Sequence, residues 1–432
     1  MRRVHAALLA LLGALAGAAP ADAYTESELE TKIGREMRKA PATSGAYVRD
    51  MDTGEELYAL RENAVRIPAS VEKLFTTSSA LLRLGPAATL QTNAVTPAGV
   101  VVEPGGILRG DLVLVGGGDP FFGDHSGQSE LLAKAVSAAG IRRIAGSIVG
   151  DESAFDARRS SCCSGYDFEL GGVLSALAYD RGVFRGRARV NAADFAAGRF
   201  ASQLRATGVA VTGKSRAGVA PPGATTVATV PSMPVRELAR FINVPSNNFA
   251  AEMLLKELGA RYRASGTTTS GADVVRDTLD DFGVRPRIVD GSGLSRVNRA
   301  TPRQVVRLLE RMRNQDVAAS FRASLAVTGV TGTVKARMRG TPATGRCHVK
   351  TGTLRGVSTL AGYCLAAGGR DIGFALMFNR ANTFVAKARE DRITAAIAGL
   401  SSPSAVPPDA GGTVPQVPAS RAQLVRFSLS GI

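Results

Sequence analysis

Between about residue 91 and residue 234 the chain changes texture, and this interruption constrains the fold more than any other feature. Short β-branched runs ("DLVLVGG", "GSIVGD", "VAVTG", "TTVATV") are separated there by Gly and Pro, the pattern of strands joined by tight turns. Helix-like stretches flank it. "SVEKLFTTSSALLRLG" precedes it and stops at Gly85-Pro86; "VRELARFI", "NNFAAEMLLKELG", "GADVVRDTLDDFG" and "TPRQVVRLLERMR" follow it. The expected class is α+β, with a discontinuous unit (24–90 and 235–400) split by a strand-rich inserted domain (91–234). A chain of 432 residues is long enough for two to three domains.

Within the flanking unit, residues 26–39 read as a helix. "GAYVRDMDTGEELYAL" reads as a hairpin turning at Asp52-Thr53-Gly54. A strand pair is expected around 346–379 and a last helix near 384–399. Residues 1–23 read as a secretory leader: Arg2 and Arg3, a short apolar run, then Ala21-Asp22-Ala23. The run falls short of the roughly 20 residues of a membrane span. The expected product is an exported chain of the periplasm or cell wall. Residues 401–432 form a Pro/Gly/Ser-rich tail, whose final "LVRFSLSGI" alternates weakly and suggests no role.

The net charge of +16 allows at most peripheral attachment to anionic polymers or membrane surfaces. Nucleic acid is not an expected partner, because no basic run or aromatic-basic motif is present and Trp is absent. Two motif matches fail on context. "GVAVTGKS" (208–215) fits the phosphate-loop spacing, but its interior is strand-like and "RAGVAPPG" cannot form the following helix. "VGGGDP" (115–120) is a strand end and turn without dinucleotide spacing. "DGSGLS" (290–295) is a tight turn whose serines can face a cleft.

Histidine is scarce, and this narrows the chemistry. His5 lies in the leader, leaving His125 and His348, with no metal-ligand spacing and no G-x-S-x-G elbow. No metal or cofactor is expected. A serine nucleophile would then need another base, and a desolvated lysine beside other cations can serve. Ser70 and Lys73, one helical turn apart in "RIPASVEKLFTT", offer that pair. Alone the spacing is weak, since Ser70 equally suits a helix cap. "VPSNNFAAEML" adds Ser246, Asn247 and Asn248 at a loop-to-helix junction, and "CHVKTGTLRG" adds Lys350, Thr351, Gly352 and Thr353 in a strand.

In this order the three segments resemble the Ser-x-x-Lys, Ser-x-Asn and Lys-Thr-Gly set of penicillin-binding proteins and serine β-lactamases. With "LVGGGDP", "DGSGLSRVNRATP" and "VKTGTLRGVSTLAGY", the chain from about residue 40 to 395 is similar to the D-alanyl-D-alanine carboxypeptidase/endopeptidase family, penicillin-binding protein 4-like (peptidase family S13). The resemblance implies a transpeptidase-like domain, an antiparallel sheet flanked by helices, split by the insert. A further nested domain carried by some members is expected to be reduced or missing.

The resemblance also implies acyl transfer through a covalent intermediate, with peptidoglycan as substrate and β-lactams as inhibitors. Ser70 would attack, Lys73 take its proton, Ser246 pass a proton to the leaving amine, and Asn248 hold Lys73 and the substrate amide. Lys350 would keep the site electropositive. Thr351, Gly352 and Thr353 would bind substrate, the two threonines on its terminal carboxylate, with the N–H groups of Ser70 and Thr353 as oxyanion hole. The alternatives are a serine β-lactamase, for which neither Glu72 nor Glu169 offers a recognisable deacylating base, and an inactive wall-binding relative. Whether carboxypeptidase or endopeptidase action prevails stays open.

Four cysteines in an exported chain are expected to be oxidised. If Arg355-Gly356 is a two-residue turn, residue 354 faces 357 and Cys347 faces Cys364, within reach of a bridge. Cys162 and Cys163 would remain, as an adjacent bridge or as free thiols.

Overall fold

The computed structural model describes residues 24–161 and 165–401. The leader, Cys162, Cys163 and the tail beyond residue 401 lie outside the described residues. The first flanking segment holds α1 (Glu26–Arg38), β1 (Gly45–Asp50), β2 (Glu56–Leu60) and α2 (Lys73–Leu84). Thr25 caps α1 in a reciprocal box with Glu28.

The insert opens with β3 (Gln91–Thr96), β4 (Val102–Glu103), β5 (Ile107–Leu108), β6 (Leu112–Val115) and α3 (Gln128–Ala138). Then come β7 (Arg143–Ile144), β8 (Ile148–Asp151), β9 (Val183–Phe184), β10 (Arg187–Ala188) and α4 (Ala192–Ala206). It closes with β11 (Ala210–Val211), β12 (Arg216–Ala217) and β13 (Thr225–Pro231). The second flanking segment holds α5 (Val235–Asn243), α6 (Asn248–Arg263), α7 (Thr268–Asp280), α8 (Pro302–Arg313) and α9 (Ala318–Ala323). β14 (Ala326–Val327), β15 (Cys347–Leu354), β16 (Val357–Leu365), β17 (Asp371–Asn379) and α10 (Thr383–Ala398) complete the chain.

β14-β15-β16-β17-β1-β2 form one antiparallel sheet, so residues far apart in sequence share it. Side chains alternate across it. Tyr47, Ala361, Tyr363 and Ala375 face a core with α2 and α5 to α8, whereas Val48, Leu360, Phe374 and Leu376 face one with α1 and α10. Both faces are covered, which is why β16 and β17 read as nearly continuous apolar runs. Three strands stand where a pair was expected around 346–379, because Gly368-Gly369 adds a second turn. A disulfide joins Cys347 to Cys364 at the paired positions anticipated from the turn.

The insert departs from a strand-rich reading in two respects. It carries α3 and α4, whose alanine-dense sequences pack on sheets of five (β12-β8-β6-β3-β13) and four (β11-β7-β5-β4) strands. Moreover, residues 155–161 and 165–178 lie outside those sheets, and Phe155, Leu170 and Leu174 pack on α6 around Phe249 and Met253. "GVAVTGKS" becomes β11 and a turn, with no helix after it. No helix among the described residues is long and apolar enough to cross a membrane.

Candidate active site

Ser70 lies in a single 3-10 turn, Ala69–Glu72, that leads into α2, rather than within the α-helix itself. Side chains three apart eclipse in such a turn, so Lys73 stands over Ser70 with its Nζ 2.9 Å from Ser70 Oγ. The turn is fastened to the sheet. The Thr359 hydroxyl donates to the Pro68 carbonyl at 2.8 Å, and the Ile67 N–H donates to Asn379 Oδ1 at 2.8 Å. Ala69, fully buried, has a left-handed φ of 48°, a strain of about 1–3 kcal/mol held by that packing. Gly352 makes the close approach possible: a Cβ there would lie 2.9 Å from the Ser70 nitrogen and 2.8 Å from the Pro68 carbonyl oxygen.

Lys73 is fully buried and meets three acceptors: Ser70 Oγ, Asn248 Oδ1 at 2.7 Å, and the Ser292 carbonyl. Burial brings its pKa down to about 8, against the opposing pull of Asp290, Glu252 and Glu72. When Nζ is neutral, its two protons satisfy Asn248 and Ser292, and its lone pair is left for the Ser70 hydroxyl.

Ser246 lies in the left-handed region (φ 63°) immediately before the cap of α6, where Asn247 Oδ1 accepts from the Ala250 N–H at 2.9 Å. Lys350, buried in β15, donates to Ser246 Oγ at 2.9 Å and to the Thr351 carbonyl at 2.8 Å. Burial first, and the Lys73 charge second, hold Lys350 well below the usual lysine range. The charge of the neighbouring lysine thus acts on Lys350; for Lys73, burial dominates. The Thr351 hydroxyl donates to Thr333 at 2.8 Å, and Thr353 is exposed at the end of the strand. Asn248 has a further partner. Its amide nitrogen donates to the Glu169 carbonyl at 2.8 Å, so the loop on α6 claims one of its two N–H groups.

Residues 29–166 and 163–400 match the D-Ala-D-Ala carboxypeptidase 3 (S13) family. The chain belongs to that family. The D-alanyl-D-alanine carboxypeptidase of Actinomadura sp. (strain R39) is 30% identical, across 86% of this chain and 84% of that protein. Carboxypeptidase DacB of Mycolicibacterium smegmatis is 29% identical, across 77% and 76%. Among solved structures, penicillin-binding protein 4 of Haemophilus influenzae superposes with a TM-score of 0.71 at 22% identity, over 83% of this chain and 98% of that one. Bd3459, a predatory peptidoglycan endopeptidase of Bdellovibrio bacteriovorus, gives 0.56 at 18%, over 84% and 94%. The fold is accordingly the α+β transpeptidase-like one.

Within this S13 fold two hydrogen-bonded groups stand together, Ser70–Lys73–Asn248 and Ser246–Lys350, and the charge of Lys73 acts on Lys350, although residues 73 and 350 come from opposite ends of the chain. Sequence reasoning missed the layer beneath them. Glu252 Oε1 accepts the N–H groups of Gly291 (3.0 Å) and Ser292 (2.8 Å). Asp290 Oδ1 accepts from the Gly293 N–H at 2.8 Å and Asn298 Nδ2 at 2.6 Å, while Oδ2 accepts from the Ser295 N–H at 2.6 Å. The available signal was spacing, since Glu252 is one turn beyond Asn248 and shares its helix face. Glu72 is fully buried, and its carboxyl oxygens have no hydrogen-bond partner; burial, then Asp290 and Glu252, push it well above the carboxylate range.

Proposed function

We propose that Ser70 is the nucleophile and Lys73 the base of a D-Ala-D-Ala peptidase acting on peptidoglycan stem peptides. As an S13 member the chain is a serine-type D-Ala-D-Ala carboxypeptidase/endopeptidase. The observation that carries the residue roles is the buried Lys73 Nζ, held 2.9 Å from Ser70 Oγ with its other partners fixed. The Ser70 proton passes to neutral Lys73 as Oγ attacks the carbonyl carbon of the penultimate D-Ala. Because Lys350 donates to the Ser246 oxygen, the Ser246 hydroxyl proton is free to pass to the departing amine, and the Ser246 oxygen takes up in its place the proton that Lys73 received from Ser70, which leaves Lys73 neutral again. The backbone N–H groups of Ser70 and Thr353 receive the oxyanion, and Thr351 and Thr353 the terminal carboxylate. Water then cleaves the acyl-enzyme.

β-Lactams enter the same reaction and leave slowly. Glu72 is buried beneath the turn, and Glu169 offers Asn248 its main chain while its side chain stays exposed. Neither supports the fast deacylation of a β-lactamase. Residues 24–90 and 235–400 form the discontinuous catalytic domain in this reading, and 91–234 the insert. Work on peptidoglycan requires export, in keeping with the leader-like residues 1–23, and the net charge of +16 favours peripheral attachment to anionic polymers.

Ser70→Ala is expected to abolish both release of D-Ala from a bisacetylated tripeptide ending in D-Ala-D-Ala and labelling by fluorescent penicillin. Labelling that persists in this variant overturns the assignment. Faster turnover of nitrocefin than of the tripeptide would instead mark a β-lactamase.

A further inference from the structure

We infer that Glu252 is a positioning residue for Lys73: its carboxylate clamps the turn that presents the Ser292 carbonyl to the ammonium, and it sets a negative charge behind the base. The chain of contacts is continuous. Glu252 Oε1 accepts both the Gly291 and Ser292 N–H groups, and the next atoms along that backbone include the carbonyl that Lys73 donates to. The Thr76 hydroxyl donates to the Gly291 carbonyl at 3.1 Å, tying the same turn to the helix of Lys73. Gly293 (φ 82°) seats the turn against the nucleophile, since a Cβ there would lie 2.0 Å from the Ala69 carbonyl oxygen and 3.0 Å from Glu72 Cβ. Asp290 holds the turn shut through Gly293, Ser295 and Asn298.

The charged groups around Lys73 come from four elements. Glu72 is on its own turn, Glu252 on α6, Asp290 on the clamped turn, and Lys350 on β15. Lys256, one turn beyond Glu252 on α6, faces Glu252 from the far side and is engaged by Asp156. Burial first, then Asp290 and Glu252, push the Glu72 carboxyl well above the carboxylate range. Asp290 spends its carboxylate on three donors. Glu252 keeps one oxygen, Oε2, buried without a hydrogen-bond partner, and its pKa is raised to about 7, next to the value of about 8 for Lys73. The two groups therefore titrate over the same range, and ionisation of Glu252 makes Lys73 harder to deprotonate.

This inference rests on Lys73 being the base for Ser70. Its test is the pH dependence of acylation by fluorescent penicillin, measured as a second-order rate constant on the full chain. In the wild-type protein, coupling spreads the acid limb, so its slope is shallower than that of one titrating group. Glu252→Gln retains an acceptor for the Gly291 and Ser292 N–H groups but removes the charge. It is expected to move the acid limb to lower pH by about one unit, the order of shift a nearby charge produces, and to restore unit slope.

A wild-type limb of unit slope overturns the inference, whether or not the Gln variant folds. So does a folded Glu252→Gln protein whose limb does not move. Failure of the catalytic reading looks different: Lys73→Ala would then still acylate at the wild-type rate.

Discussion

At the residue scale the site turns on how closely Ser70 is pressed to the sheet. Gly352 leaves no room for a side chain, with the Ser70 nitrogen 2.9 Å and the Thr359 hydroxyl oxygen 2.2 Å from where a Cβ would stand. Gly352→Ala is expected to push the 3-10 turn away and slow acylation by about 100-fold, the usual cost of displacing a reacting atom by an ångström. Stopped-flow labelling beside a thermal melt would register the rate loss with the fold retained. Lys73 governs the second residue-scale outcome. Acylation needs the neutral amine, whose fraction rises with pH through about 8, so the rate should climb through that range and fall away below it. A rate that is flat between pH 6 and pH 9 would contradict this.

At the element scale, β15 carries Lys350, Thr351 and Gly352 and is held to β16 by the Cys347–Cys364 bridge. The bridge closes a 17-residue separation, and the loop-entropy rule gives about 3 kcal/mol for a loop near that length. Cys347→Ser together with Cys364→Ser should therefore lower the urea midpoint while leaving the active-site hydrogen bonds intact. This pairing was legible in the sequence because a two-residue turn sets the register of a hairpin without help from the rest of the fold. Helices α5 to α8 were legible for a similar reason, since caps such as Thr301 with Gln304 announce themselves locally. What escaped was long-range. β17 pairs with β1 across more than 300 residues, and Glu252 reaches a turn whose N–H groups become partners only once α6 has docked. The helices of the insert were missed because alanine-rich segments carry a weak apolar period beside neighbouring Val and Thr runs.

At the scale of the whole molecule, the described residues of 155–178 are joined to α6 close to Asn248. Lys256 on α6 is fully buried against Asp156, and the bridge Phe155–Gly266 runs beside it. Asp156→Ala would leave a buried ammonium without its partner, a loss of roughly 3 kcal/mol. It should also slow acylation, because Phe155 and Leu170, the neighbours of Asp156 and Glu169, pack in one cluster on α6 beside the Glu169 carbonyl that Asn248 donates to; denaturant unfolding and penicillin labelling of one preparation would read both effects. That last contact has an evolutionary consequence. A main-chain oxygen looks the same behind any side chain, so position 169 is free to drift in identity while still serving Asn248. The constraint falls on the spacing that delivers the carbonyl. Relatives that preserve this support should differ in the letter at that position yet tolerate few insertions or deletions between Asp167 and Gly172, the bridged pair that frames it.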